Sequence, residues 1–244
     1  MYFKGDLDGA AKLMQALADA GVDLVQLANS YSISRGLAGL ASSLDSVRLA
    51  GMEPLGAYAT NAAFQKNKGF TIRVVGGIKI AFVAFTKGMD GMTLPVGSEN
   101  CVNVLYEDYD SVYQSVDSKK ISSILANVEK AKPDITIALL HWGSEYNDDI
   151  SSSQEYLVSL MKKSGVDVIL GTHSHMVHRI DYSQEENTLV AYSLGDFFGD
   201  GAKDGTKYSI LLDLEITKDN ETGATKVTDF SYTPLYILSE SESK

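Results

Sequence analysis

All four histidines of the chain lie close together in the sequence, and three of them follow apolar runs. Residues 135–140 form one such run, which ends in His141, and residues 166–170 form another, which leads through Gly-Thr into His173 and His175. A neutral imidazole binds divalent ions and transfers protons near neutral pH. In a parallel α/β sheet, ligands and catalytic groups gather where strands end. The sequence therefore predicts a site at one sheet edge, built on these histidines.

The three imidazoles have two alternative interpretations, a metal site and a solvated surface cluster. His141, His173 and His175 could hold a single zinc-like ion with one position open, and a manganese or iron type of ion would also accept such ligands. They could instead be a solvated cluster, because His-x-His pairs are also frequent in surface loops. We predict catalytic roles for His141 and His175 and a metal-ligand role for all three.

The neighbouring polar and aromatic residues are candidates for orientation and binding. Glu145 is a further predicted catalytic residue, which could orient a histidine from outside the metal sphere or contact the substrate, and its alternative is a solvated carboxylate. Trp142 and Tyr146 are candidate substrate-binding residues, although the single tryptophan could equally be a core aromatic. Asp196 follows another strand and could contact the substrate or cap its own turn.

Bulk composition excludes several classes of protein. The chain has 244 residues, 44% of them hydrophobic and 22% charged, which is typical of a globular protein with a sizeable core. The net charge of −11 argues against binding to nucleic acid. The single cysteine, Cys101, excludes an intrachain disulfide. We predict one domain over residues 1–238 and a polar tail over 239–244.

The given sequence carries no signal for export or membrane insertion. Its first residues lack the basic and apolar regions of a signal peptide, and no apolar run reaches the roughly 18–20 residues of a membrane helix.

Periodicity and breakers predict alternating helices and strands, hence an α/β fold. Helices are predicted at 8–20, 37–49, 118–131 and 151–163. Strands are predicted at 22–28, 101–105, 135–140, 166–170 and 188–193. Hairpins are predicted over 69–86, turning at Gly76-Gly77, and between 208–217 and 226–238.

An ordered series of motifs resembles the bacterial capsule-synthesis family of the CapA type, which is linked to poly-γ-glutamate. The motifs are AGVDLVQLAN (residues 20–29), GGIKIAFVAFT (76–86), HWGSEY (141–146), Gln154, SGVDVILGTHSHMV (164–177) and LVAYSLGDF (189–197). The resemblance covers roughly residues 5–200. It implies an α/β sandwich with mixed sheets, like that of the calcineurin-type metallophosphoesterases.

The chain departs from the family pattern at its start. Family members usually begin with a Gly-Asp strand and a second acidic loop, so we expect the fold to lack those N-terminal strands. The family motif Asn-Asn-His-x-x-Asp-x-Gly keeps Asn29, a candidate substrate-binding residue, and its final glycine. Ser30, Tyr31 and Ser34 replace the second Asn, the His and the Asp. A carboxylate-bridged two-metal centre would therefore lose one half.

The resemblance implies a role in making a cell-envelope polymer. The expected partner is an anionic polymer or its synthesis machinery, and the expected location is extracellular or membrane-associated through a segment absent from this chain. One hypothesis is metal-assisted hydrolysis or transfer at the histidines. The alternative is a binding module that keeps the fold without the metal centre. A sheet edge exposed by the missing strands leaves room for a homodimer.

Overall fold

A computed structural model describes residues 7–199 and 203–238, with the backbone alone for residues 7–10. The chain divides into two compact units. Unit 1 comprises Met1–Thr71 and Val83–Ile124, and unit 2 comprises Ile72–Phe82 and Leu125–Lys244. The single domain expected over 1–238 stays a prediction, and the expected polar tail lies outside the described residues.

The elements alternate as the sequence predicts. The helices of the described chain are α1 (Leu7–Asp19), α2 (Gly36–Leu49), α3 (Asn61–Asn67), α4 (Ser118–Ala131) and α5 (Ser152–Lys163). The strands are β1 (Leu24–Gln26), β2 (Glu53–Leu55), β3 (Phe70–Val75), β4 (Ile78–Thr86), β5 (Ile135–His141), β6 (Val168–Thr172), β7 (Ile180–Ser183), β8 (Thr188–Ala191), β9 (Tyr208–Lys218) and β10 (Thr225–Tyr236). No helix of the described residues is long and apolar enough to cross a bilayer.

The largest sheet is mixed and has the strand order β3-β4-β5-β6-β8-β7. β5, β6 and β8 run parallel, whereas β7 runs antiparallel to β8. In unit 1, β1 and β2 form a parallel pair, and in unit 2, β9 and β10 form an antiparallel hairpin. Because β5, β6 and β8 are parallel, their carboxyl ends lie at one edge of the sheet.

Two local predictions have clear physical causes in the structure. Gly76 and Gly77 both adopt positive φ (57° and 83°), which a primed two-residue turn requires and only glycine adopts without strain. Ser151 caps α5 by accepting a hydrogen bond from the Gln154 N–H, and the Gln154 side chain accepts one from the Ser151 N–H. This capping box contributes about 1 kcal/mol to the helix start.

The core of unit 2 lies between the central strands and the β9–β10 hairpin. Ile135, Ile137 and Val168 are buried there, and Val227 of β10 belongs to the same cluster. Alternate residues of β9, including Leu214, pack against it, as the period of two in a strand requires. Each large aliphatic side chain buried in this way contributes about 1.5–3 kcal/mol. The hairpin thus covers one face of the strands that end in histidines.

Unit 1 has its own core. Leu40 and Leu44 of α2 are buried in it with Met89 and Val102. Residues 101–105 were expected to form a strand, but they make only isolated bridges, Val102 with Ala57 and Val104 with Thr86.

The same helix–Gly–Val–Asp–strand junction occurs twice, at residues 21–23 before β1 and at residues 165–167 before β6. Gly21 and Gly165 both adopt positive φ (90° and 83°) and end the preceding helices. Asp167 directly precedes β6, and its carboxylate accepts a hydrogen bond from the Thr136 N–H at 2.8 Å. Burial raises the pKa of Asp167, and that hydrogen bond partly offsets the increase.

Candidate functional site

Strand register brings the first two histidines together. His141 is the last residue of β5 and pairs in register with Thr172, the last residue of β6. His173 follows Thr172 directly, so the two imidazoles emerge side by side. Their ring centroids lie 4.4 Å apart with the planes tilted by 44°.

His175 is oriented by Asp196. The Nδ1 atom of His175 lies 2.8 Å from Oδ2 of Asp196. An ionised carboxylate can only accept a hydrogen bond. In a neutral His175 the proton therefore lies on Nδ1, which faces Asp196, and Nε2 carries the lone pair. Asp196 reaches this position because β8 is parallel to β6 and its chain continues past the same sheet edge. The arrangement suits a metal ligand and a proton acceptor equally.

Glu145 lies between the two later histidines. Its Oε1 atom is 4.0 Å from Nδ1 of His173 and 3.8 Å from Nε2 of His175. The carboxylate therefore faces Nε2 of His175, the imidazole nitrogen that does not contact Asp196, and it would stabilise a proton there. The His173 side chain is 7% exposed, whereas those of His175 and Glu145 are 32% and 42% exposed. Solvent thus reaches the His175–Glu145 side of the cluster formed by His141, His173, His175, Glu145, Tyr146 and Asp196.

Tyr146 covers one face of His175. The two rings are stacked with centroids 5.1 Å apart and an interplanar angle of 13°. The backbone N–H of Tyr146 donates to the Ser174 carbonyl at 2.9 Å, which ties the loop after β5 to the loop after β6.

Three residues of this cluster have a strained backbone. Tyr146, His173 and His175 adopt positive φ of 58°, 99° and 64°. Such conformations cost about 1–3 kcal/mol each in non-glycine residues and persist where the surroundings or a function demand them. Their concentration at one sheet edge supports a functional role for this cluster.

Trp142 lies beneath the cluster. It is 1% exposed, its Nε1–H donates to the Tyr192 carbonyl at 3.0 Å, and its ring stacks on that of Tyr192. This placement favours a supporting role in the core, and the substrate-binding role of Trp142 stays a prediction.

Asn29 belongs to unit 1, and its side chain is used locally. Its Oδ1 accepts from the Tyr31 N–H at 2.8 Å, and its backbone N–H donates to Oγ of Ser32 at 2.9 Å. The first is a turn-forming hydrogen bond of the kind that Asn side chains make, and the second uses the Ser32 side chain in the same turn. Its predicted contact with a substrate is not tested by this geometry.

The donor types in the cluster suit a divalent ion, but their placement does not form a closed ligand set. No group of three or more His, Cys, Asp or Glu side chains within residues 7–199 and 203–238 is arranged to hold a metal ion. The ring centroids of His173 and His175 are 6.4 Å apart, whereas those of His141 and His173 are 4.4 Å apart. The residues as they lie do not fit a three-histidine ion, whereas they do fit an oriented acid–base histidine.

Two residues that contact the loop after β5, Lys203 and His178, were given no role by the sequence prediction. Nζ of Lys203 lies 3.3 Å from the centroid of the Tyr146 ring, and His178 donates from Nε2 to the Asn147 carbonyl at 3.0 Å. Position 178 was visible in the histidine-rich stretch, but nothing in its spacing distinguishes a buried histidine from an exposed one. Lys203 carries no sequence signal.

Comparison with known proteins agrees with the family resemblance. Residues 6–200 match the sequence profile of the family described as "Bacterial capsule synthesis protein PGA_cap". The chain is 25% identical over 225 residues to the capsule biosynthesis protein CapA of Bacillus anthracis, which covers 91% of this chain and 51% of that protein. It is 27% identical over 216 residues to the PGA biosynthesis protein CapA of Bacillus subtilis (strain 168), covering 88% and 52%. The chain thus spans about half the length of these curated relatives.

The fold has solved counterparts. The calcineurin-like phosphoesterase YfkN from Bacillus subtilis superposes with a TM-score of 0.54 at 15% identity, covering 94% of this chain and 70% of that one. The predicted α/β fold with a mixed sheet, similar to the calcineurin-like phosphoesterases, is therefore confirmed.

Proposed function

The chain belongs to the family of bacterial capsule synthesis proteins, and on that premise we propose that it acts in the biosynthesis of a poly-γ-glutamate-type polymer of the cell envelope. The names of its two CapA relatives support this assignment. The proposed ligand is an anionic polymer or the machinery that makes it.

We propose that the site performs hydrolysis or transfer with His175 as its acid–base group. The observation that carries this proposal is the 2.8 Å contact of His175 Nδ1 with Asp196, because it leaves Nε2 ready to accept a proton. Glu145 Oε1, 3.8 Å from Nε2, would stabilise the imidazolium that forms. His175 would take the proton from an attacking water or acceptor group as that group bonds to the substrate. It would then pass the proton to the leaving group as the substrate bond breaks.

A divalent ion is a separate part of the proposal. If one binds, its chemistry would be the polarisation of a bound water or substrate oxygen, and His141, His173 and His175 are its predicted ligands. Their side chains would first have to move closer together. Elemental analysis of purified protein tests this: about one equivalent of zinc, manganese or iron that is lost in His141→Ala would support the ion, and its absence at saturating metal would remove it.

A second candidate function is polymer binding without chemistry. Ser30, Tyr31 and Ser34 stand where the family motif has Asn, His and Asp, and the described residues hold no closed ligand set. Both observations favour a module that keeps the fold and has lost the metal centre.

One experiment separates the two functions. Purified protein is incubated with defined poly-γ-glutamate, binding is measured by calorimetry, and chain length is followed by gel electrophoresis. Chain-length change that is lost in His175→Ala supports catalysis. Binding without any change of chain length, insensitive to chelator, supports the binding module. Neither binding nor chain-length change would contradict both.

We also propose that the protein works on the outer face of the cell. Protease treatment of intact cells tests this, because a protein on the outer face is degraded while a cytosolic marker survives.

A further inference from the structure

The loops that carry the site meet at His178. This residue is 8% exposed, and its backbone N–H donates to the Ser193 carbonyl at 3.0 Å. Ser193 lies in the segment that follows β8 and leads to Asp196. The imidazole Nε2 of His178 lies 3.0 Å from the carbonyl oxygen of Asn147, in the loop that contains Glu145 and Tyr146. His178 itself lies near the end of the loop between β6 and β7, which contains His173 and His175.

The contact with Asn147 fixes the chemical state of the ring. A carbonyl oxygen only accepts, so Nε2 carries the proton. Nδ1 is buried and has no hydrogen-bond partner among the residues that the structure describes. A buried nitrogen left without a partner costs free energy. An apolar side chain would avoid this cost, so the donor at Nε2 is the feature that an imidazole adds here.

The loop after β5 needs such an anchor. Tyr146 adopts positive φ, and Glu145 is substantially exposed. The Tyr146 N–H bond to the Ser174 carbonyl holds the loop on one side, and the His178 bond holds it one residue further on. Together these two hydrogen bonds fix the distance of the Tyr146 ring from the His175 ring and the distance of Glu145 Oε1 from Nε2 of His175.

We propose that His178 is a positioning residue, whose Nε2–H locks the loop of Glu145 and Tyr146 onto the loop of His173 and His175. This role does not depend on which reaction the site performs. Only its consequence for turnover rests on the proposed function.

Three variants test the role. His178→Gln keeps an N–H donor near the position of Nε2, His178→Asn moves the donor back toward the position of Nδ1, and His178→Leu removes it. Hydrogen exchange measured by mass spectrometry reports how firmly the loop is held. We expect His178→Asn and His178→Leu to speed exchange of the amides at 144–149 by about tenfold, with β5 and β6 unchanged. His178→Gln is expected to stay within about twofold of wild type.

A spectroscopic readout distinguishes positioning from general packing. In nitrogen-15 NMR of the wild type, His178 should show a protonated Nε2 and an unprotonated Nδ1. The proton shifts of His175, which the stacked Tyr146 ring perturbs, should move in the Asn and Leu variants and return in the Gln variant.

Several outcomes would overturn the proposal. Unchanged loop exchange in the Leu and Asn variants would do so, and so would a Gln variant that behaves like them. Failure of the Gln variant to fold would assign His178 to core packing instead. If the Leu variant does not fold, the comparison of loop hydrogen exchange between the Asn and Gln variants still tests the proposal. All of these measurements are made without polymer, so a wild-type protein that neither binds nor alters the polymer would contradict the proposed function alone.

Discussion

Lys203 places its amine 3.3 Å from the centroid of the Tyr146 ring, and that ring is stacked on His175. A cation over an aromatic face is attracted by the ring quadrupole, by about 0.5–1 kcal/mol at exposed sites. The contact holds a positive charge at a site flanked by Glu145 and Asp196, on a chain of net charge −11. An anionic ligand would therefore meet a cation beside His175, the proposed acid–base group.

Replacing Lys203 should weaken the binding of an anionic polymer. We expect Lys203→Met to raise the dissociation constant for poly-γ-glutamate about three- to tenfold at low salt, with a smaller difference at high salt because ions screen exposed charges. Calorimetry at two ionic strengths measures this. Lys226→Met, which removes an exposed lysine from β10, is the matched control. An equal loss of polymer affinity in both variants would mean that binding depends on the net charge of the protein and not on the position of Lys203.

Removing the Asp196 carboxylate should disorient His175. We expect Asp196→Asn to reduce turnover about 10–100-fold, the range for residues that orient a functional histidine, with little change in polymer affinity. Asp213→Asn on the exposed side of β9 is the control. In nitrogen-15 NMR, His175 should lose its preference for a proton on Nδ1. A variant with wild-type turnover and an unchanged His175 tautomer would contradict the assigned role of Asp196.

Gly171 allows the strand under the site to pack closely. A Cβ atom there would lie 1.9 Å from the Tyr192 carbonyl oxygen and 2.5 Å from Nε1 of Trp142. We expect Gly171→Ala to lower the free energy of unfolding by about 1–3 kcal/mol, the cost of overpacking, and to shift the fluorescence of the single tryptophan. Denaturant titration measures both.

Gly223→Ala is the control for Gly171→Ala. Gly223 has positive φ (75°) in the β9–β10 turn and open space around it, so the variant adds backbone strain without a clash. Trp142 emission should not change in it. Equal effects of the two substitutions on the fluorescence would show that the close approach at Gly171 is unimportant.

Asp134 should make stability fall in acid. It accepts hydrogen bonds from Nζ of Lys218 at 2.8 Å and from the Lys79 N–H at 2.7 Å. The Lys218 hydrogen bond, followed by the Lys79 one, lowers the pKa of Asp134 below its ordinary value. Its contribution is thus complete above the ordinary aspartate pKa of about 3.9 and is lost as pH falls through the lower folded value.

The variant Asp134→Asn should therefore melt at a lower temperature than wild type near neutral pH, and the gap should narrow as pH falls to about 2. Thermal melts across this range measure the gap, with Asp213→Asn as the control. A gap that stays constant down to that pH would rule out titration of Asp134 as its source.

Local sequence patterns predicted most of the elements but not their limits. α4 begins and ends at the predicted residues because its apolar spacing is regular and Pro133 stops it. The first strand was predicted over 22–28, but it is confined to Leu24–Gln26 because only those residues pair with β2. α3 was missed because it is only seven residues long, and β7 because its pairing with β8 defines it.

The sequence by itself determined that histidines follow two apolar strands, and its motifs identified the family. Only the tertiary structure decided that His141 pairs with Thr172 and that His175 meets Asp196, 21 residues away. It also decided that Lys203 lies over Tyr146 and that Asn29 is bound within its own turn. The physical reason is that strand register and the positive φ angles of His173 and His175 set where side chains point. Local propensity disfavours those angles, so they arise only from the packing of segments distant in sequence.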